Sequence, residues 1–240
     1  MLNEQNKRAF IHNVSLALGR NDVPASVEPY DFTKGIQHQI MSEVQTEEEI
    51  YERFKVECEK LAISFTETTE ADLKDTLLAV IKNLGGGKVI YPLVEEMDKY
   101  GITKVFEANE GVEGLQFVAW DAEKGRELNI HNAQDANIGV TFPAMAIAET
   151  ATLVQPMTKG SGRCVGLLPL THIAVLRRSA IRRRMSETMV ELRKQFQEAP
   201  SEFPSAIVHI SGPSSTADIE LVRVVGAHGP INITYIIIND

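Results

Sequence analysis

The chain has little cysteine. Its 240 residues contain only Cys58 and Cys164, far apart and in no CxxC pair. A four-cysteine zinc or iron–sulfur site cannot be assembled from this chain alone. A structural disulfide is not expected if the chain sits in the cytosol. Long hydrophobic runs are also missing: no apolar stretch approaches the roughly 18–20 residues of a membrane helix. The N-terminal "MLNEQNKRAFIHN" mixes charges around no apolar core, so it does not read as a signal peptide and a cytoplasmic location is expected. Excess positive charge is lacking too. At a net charge of −9 the chain argues against general nucleic-acid binding, which needs a basic surface, while leaving room for a local basic site. There is no internal repeat and no long low-complexity tract.

What is present is an ordinary soluble composition, 43% hydrophobic and 24% charged, in a chain long enough for one large domain or one domain plus an extension. Residues 1–19 carry Phe10, Val14 and Leu18 four apart and end at Gly19, which reads as a helix. "RNDVPASVEPYDF" then reads as an extended linker. From Thr46, "TEEEIYERFKVECEKLA" has a capping box (Thr46, Glu49), an acidic first turn and a stripe of Ile50, Phe54 and Leu61, so it is predicted helical. "ADLKDTLLAVIKNLGGG" reads as a helix ending at Gly85. Apolar runs follow: "KVIYP", "GLQFVAW", "NIGVTF", "AMAIA", "TLVQP", "HIAVL", "AIVHI" and "NITYIIIND". Turn signals or helical stretches such as "RMSETMVELRKQFQ" separate them. This alternation predicts an α/β architecture with a mainly parallel sheet. "NIGVTF" through "HIAVL" has no helix between strands and allows hairpins or a mixed region.

Several stretches carry candidate chemistry. Gly85-Gly86-Gly87-Lys88 lacks phosphate-loop spacing and runs from helix to strand, so it reads as a helix C-cap. In "AIAETAT", Glu149 interrupts small apolar residues. It is a general base or nucleophile, a paired structural carboxylate, or a side chain pointing to solvent from a strand. "TKGSGRC" joins a glycine-rich loop to Lys159 and Arg163, which suits an anion or a solvated hairpin loop. Cys164 reads as the start of a strand. His172 in "LLPLTHIAVL" is either a satisfied structural histidine or a base, and nothing places a second histidine at metal-ligand spacing. Arg177, Arg178, Arg182, Arg183 and Arg184 either meet an acidic partner or a phosphate-bearing ligand, or form a solvated turn. "IVHISGPSSTADIE" stops an apolar run at Gly212-Pro213 and then places Ser214, Ser215 and Thr216 before a predicted helix, "ADIELVRVVGAHG". One hydroxyl suffices as a cap, and the surplus suggests an anion site that Asp218 and Glu220 would weaken.

Together "AIAETATLV" (146–154), "SGRCVGLLPLTHIAV" (161–175) and "SGPSSTADIELVRVVGAHGP" (211–230), with "ALGR" (17–20), resemble the lactate utilization protein C family. Its LUD domain is similar to the NagB/RpiA/CoA-transferase-like folds. The resemblance covers nearly the whole chain. It implies an N-terminal helical extension and linker over 1–61. The LUD domain would span 62–240, with an open, mostly parallel sheet flanked by helices. Ala151 departs from the family's usual glycine, which removes backbone freedom there. The resemblance also implies a part in L-lactate oxidation to pyruvate, beside two iron–sulfur partner proteins. No cofactor would be held by this chain, and a small anionic ligand would be bound. It supplies no established catalytic residue. The candidates are therefore Glu149 and His172 for catalysis, and Thr150, Thr152, Arg163, Ser214, Ser215, Thr216 and Asp218 for ligand binding. Two other readings stand beside it: an acyl-transfer enzyme of the CoA-transferase type with Glu149 as nucleophile, and a ligand-sensing or docking protein without turnover.

Overall fold

Strands buried on both faces read as unbroken apolar runs, and three such runs form the middle of the protein. In the computed structural model, which describes residues 3–21, 31, 44–217 and 223–240, they are β4 (Ile138–Thr141), β7 (Thr171–Arg177) and β12 (Asn232–Ile238). With β1 (Ser64–Thr68), β2 (Lys88–Pro92) and β3 (Gln116–Trp120) they make a six-stranded sheet in the order β1-β12-β7-β4-β2-β3. Every pairing in it is parallel. The predicted α/β class with a parallel sheet flanked by helices is the architecture observed.

Strand alternation divides the core in two. Ile173, Val175, Ile236 and Ile238 face Leu73, Leu77, Ile81 and Phe106, from the helices Leu73–Asn83 and Ile102–Asn109. Ala174, Leu176, Tyr235 and Ile237 face the other way, onto the helix Glu47–Lys60 and a second sheet. That second sheet has the order β8-β5-β6-β9, from β5 (Met145–Ile147), β6 (Thr152–Met157), β8 (Ile181–Arg182) and β9 (Ala206–Ser211). It is mixed: β6 is antiparallel to β5 and β9, while β5 and β8 are parallel. The helix-free stretch after "NIGVTF" thus supplies the hairpin. The helix Met185–Glu198 contributes Leu192 to the outer face of this sheet, against Val154 and Ile207.

The residues fall into two compact units, 1–44 and 45–240. In the first, the helix Glu4–Ala17 is capped by Asn3, whose side chain accepts from the Gln5 amide at 3.0 Å. The linker predicted after it lies almost wholly outside the described residues. In the second, Thr46 and Glu49 form the predicted capping box: Thr46 Oγ1 accepts from the Glu49 amide (3.2 Å) and Glu49 from the Thr46 amide (2.8 Å). That helix buries Tyr51, Phe54 and Cys58 in the core of the 45–240 unit, so it packs as part of the α/β body. Gly85, Gly86 and Gly87 all take positive φ and end the helix Leu73–Asn83, consistent with the C-cap reading.

Two local expectations fail. Cys164 opens a short helical turn, Cys164–Leu167, not a strand. Of the helix predicted across 217–229, residues 218–222 lie outside the described residues, and the described remainder is not helical. β10 (Ser215–Ala217) and β11 (Arg223–Val225) pair antiparallel, Ser215 opposite Val225 and Thr216 opposite Val224. Val224 and Val225 favour extended backbone, and the ladder sets them opposite Thr216 and Ser215. Ser215 and Thr216 therefore cap no helix. Asp218 lies outside the described residues.

Candidate functional site

The seam between the two sheets is apolar along most of its length and polar at one end. Gly139 and Thr141 of β4 face the seam beside β7, where Gly139 pairs with His172. The turn Cys164–Leu167 lies directly on them: a Cβ on Gly139 would stand 1.9 Å from the Val165 carbonyl oxygen. A Cβ on Gly166 would stand 3.2 Å from Thr141 Cγ2 and 3.3 Å from His172 Nε2. His172 is thereby sealed, at 0% exposure. Its Nε2 shares a 2.7 Å hydrogen bond with the Thr141 hydroxyl, and its Nδ1 has no partner among the described residues. Burial pulls the imidazole down to about 4, so at neutral pH it is uncharged.

Gln155, on β6, faces the same seam at 4% exposure. Its Nε2 donates to the Pro156 carbonyl (3.1 Å), which fixes the amide orientation, and Oε1 is buried without a donor among the described residues. Thr141, Gln155, Ser161, Gly162 and Arg163 border a narrow cleft of about 10 Å³, room for about one water molecule. Arg163 is exposed at its edge and forms no ion pair among the described residues. The glycines of "TKGSGR" answer to packing. The Gly160 carbonyl accepts from the Leu93 amide at 2.8 Å, and a Cβ there would stand 1.9 Å from the Leu93 oxygen. A Cβ on Gly162 would stand 2.0 Å from the Trp120 ring. Leu93 and Trp120 mark the carboxyl ends of β2 and β3, the end of an open α/β sheet at which ligands gather.

Glu149 is elsewhere. It sits on a one-turn 3₁₀ segment, Ala148–Thr150, with its side chain 48% exposed and 3.8 Å from Arg184. Its amide donates to the Arg183 carbonyl (3.2 Å). Thr150 and Thr152 share a 2.7 Å hydrogen bond, and the Thr152 hydroxyl also bonds Ser211 on β9. Between them Ala151 takes the left-handed conformation (φ 46°) that glycine would adopt without strain. Its methyl group is fully buried and its carbonyl accepts from Tyr235 Oη at 2.9 Å.

Ser214 closes the base of the β10–β11 hairpin. Its amide donates to the Pro230 carbonyl (2.9 Å) and its own carbonyl accepts from Gly226 (2.8 Å). Its hydroxyl accepts from the His228 amide at 3.4 Å. A Cβ on Gly229 would meet Ser214 Cβ at 3.2 Å and the Leu167 carbonyl at 3.5 Å, so this base lies against the turn that begins after Arg163. Ser215 and Thr216 are exposed. The structure thus brings His172 and Arg163 to one seam with Ser214 adjoining it. It joins Thr150 to Thr152, and sets Glu149 apart among arginines. Thr141 and Gln155 escaped the sequence reading. The available signal was a single polar residue inside each of two apolar strands, "NIGVTF" and "TLVQP".

The five-arginine run is almost fully paired. Arg177 meets Glu70 (2.8 Å) and Asp240 (3.0 Å), Arg178 meets Glu48, Arg182 meets Glu191 (2.8 Å) and Arg183 meets Glu187 (3.1 Å). It is neither a bare docking surface nor a simply solvated turn.

The model of the LUD domain matches residues 51–238. Lactate utilization protein C of Bacillus licheniformis is 35% identical over 235 residues, covering 98% of this chain and 97% of that protein. The protein of the same name from Bacillus subtilis is 34% identical over 236 residues, with 98% and 97% covered. The chain belongs to the lactate utilization protein C family. Among solved structures, a DUF162 family protein from Deinococcus radiodurans superposes with a TM-score of 0.58 at 20% identity, covering 81% of this chain and 99% of that one. That likeness shows a common fold. Among the described residues no helix is long and apolar enough to cross a membrane.

Proposed function

We propose that this chain is a component of a cytoplasmic system that oxidises L-lactate to pyruvate, acting with two iron–sulfur partner proteins. The observation that carries this reading is the end-to-end match, 35% identical over 98% of the chain, with a protein called lactate utilization protein C. Conversion of lactate to pyruvate releases two electrons and two protons. With only Cys58 and Cys164 this chain cannot supply four cysteine ligands to a cluster, and in this reading the electrons leave for clusters held by the partners.

The inter-sheet cleft is the place where this chain would meet the acid. Arg163, exposed and without a carboxylate partner among the described residues, has the planar fork that holds a carboxylate bidentately. The Thr141 hydroxyl is the group poised to meet the lactate hydroxyl. His172, sealed behind it, positions that hydroxyl and acts through it. A three-carbon acid is larger than the present cleft, so binding lifts the 158–163 turn off Leu93 and Trp120. The acyl-transfer reading finds less support, because Glu149 stands half exposed outside this cleft.

The test is reconstitution. L-lactate oxidation with an artificial electron acceptor is measured for this chain alone, for the two partners together, and for all three. Activity confined to the complete mixture makes the chain an essential subunit. Full activity from the partners without it overturns the reading.

A further inference from the structure

A second pocket lies away from the cleft. Gln45, Arg53, Glu149, Arg183 and Arg184 line an open recess of about 170 Å³. It is framed by the helix Glu47–Lys60, the 148–150 turn and the segment before the helix Met185–Glu198. Three guanidinium groups face one carboxylate in that lining. Just outside it, Glu57 takes one edge of Arg53 (2.8 Å) and Glu187 takes Arg183 Nε (3.1 Å), both at hydrogen-bond length. Arg184 is served differently. Its contact with Glu149 is 3.8 Å, too long for a hydrogen bond, and its Nε is buried with no acceptor among the described residues. Leaving such a donor unsatisfied is unfavourable, and an incoming oxygen would satisfy it.

We propose that this recess binds a phosphoryl oxyanion, either free phosphate or the phosphate end of a larger molecule, with Arg184 as its main donor and Arg53 as the second. The forks of Arg53 and of Arg184 enter from two different segments and so approach a ligand from different directions. A tetrahedral oxyanion offers acceptors in those directions, whereas a carboxylate offers two oxygens in one plane. Glu149 is a competitor for Arg184, loosely held and exposed enough to swing aside. The inference is independent of the lactate reading, because it concerns binding to this chain alone.

The experiment is calorimetric titration of the full chain with inorganic phosphate, with ionic strength held constant by sodium chloride. One-to-one binding is expected. Arg184→Ala should weaken it at least about tenfold, and Arg184→Lys, which keeps the charge but loses the fork, should weaken it by about threefold or more. Should the alanine variant fail to fold, the lysine variant carries the test. Glu149→Gln should tighten binding by about threefold or more, since it removes the competing charge. Adenosine 5′-monophosphate is the second probe. Affinity equal to that of phosphate assigns the site to the phosphoryl group alone, and affinity about tenfold tighter assigns it to the phosphate end of a larger molecule. The proposal is overturned if neither probe binds saturably. Undiminished binding by a folded Arg184 variant, or acetate binding as tightly as phosphate, also overturns it.

Discussion

The buried imidazole of His172 makes a quantitative prediction about acid stability. In the unfolded chain it takes up a proton near its ordinary value of 6.5, and in the folded protein only at about 4, because burial penalises the charged form. Between those values the unfolded chain binds more protons, so stability falls as pH falls through this window and levels off above pH about 7. The full difference corresponds to about 3 kcal/mol, of which roughly 2 kcal/mol is lost between pH 7 and pH 4.5. The side chain is fully buried, so solvent screening does not discount this figure. The assay is urea unfolding of wild type and His172→Gln at several pH values across that range. Glutamine cannot titrate but can still meet the Thr141 hydroxyl. Carboxylates such as Glu49, held below the ordinary value by the Thr46 amide, also respond to acid. They do so equally in both proteins, and cancel in the difference. Stability differences that stay constant from pH 7 to pH 4.5 would refute the reasoning, since the imidazole would then have to be reachable by protons in the folded state.

Three other outcomes follow from the same geometry. Gly162→Ala places a methyl group 2.0 Å from the Trp120 ring; it should cost about 1–3 kcal/mol and lower the melting temperature by several degrees, and an unchanged melting curve would show that the turn yields freely. Tyr235→Phe leaves the Ala151 carbonyl buried without its donor while keeping the ring stacked on Phe54; the urea midpoint should drop by the equivalent of about 1–3 kcal/mol with the m value unchanged. Arg163→Ala removes an exposed side chain with no ion pair among the described residues; lactate oxidation by the reconstituted mixture should fall at least about tenfold with the melting temperature unmoved, and full activity would take the carboxylate away from Arg163.

The parallel sheet was legible because its central strands are buried on both faces and so read as unbroken apolar runs: "NIGV", "HIAVL", "ITYIII". The Thr46–Glu49 cap was legible because its interactions span only three residues. The stretch after Gly212 misled for the complementary reason. Ser215 and Asp218 stand at capping-box spacing, and Ile219, Val222 and Val225 at helical spacing, yet Ser215 pairs with Val225 across a hairpin. Which pattern wins depends on contacts ten residues apart, and local spacing does not contain them. The seam was hidden in the same way. Thr141 and Gln155 come from strands of different sheets, and only the packing of one sheet on the other brings them to a common cleft.

The arginine run shows how one composition serves two ends. β7 finishes at Arg177 in the large sheet and β8 begins at Ile181 in the small one, so the chain changes sheets within a few residues. Arg177 and Arg178 tie that corner to Glu70, Asp240 and Glu48 from other parts of the chain, while Arg182 and Arg183 hold Glu191 and Glu187 of the helix that follows. Exposed pairs of this kind contribute only about 0–1 kcal/mol each, so the fold does not rest on them. What they secure is the direction in which the chain leaves the corner, and a residue used that way has its acceptors at hydrogen-bond length. Arg184 has not. Among the described residues its Nε is buried without an acceptor and its carboxylate contact is 3.8 Å away, so it keeps unmet hydrogen-bonding capacity. That contrast, more than the abundance of arginine, separates the four that hold the corner from the one that can hold a ligand.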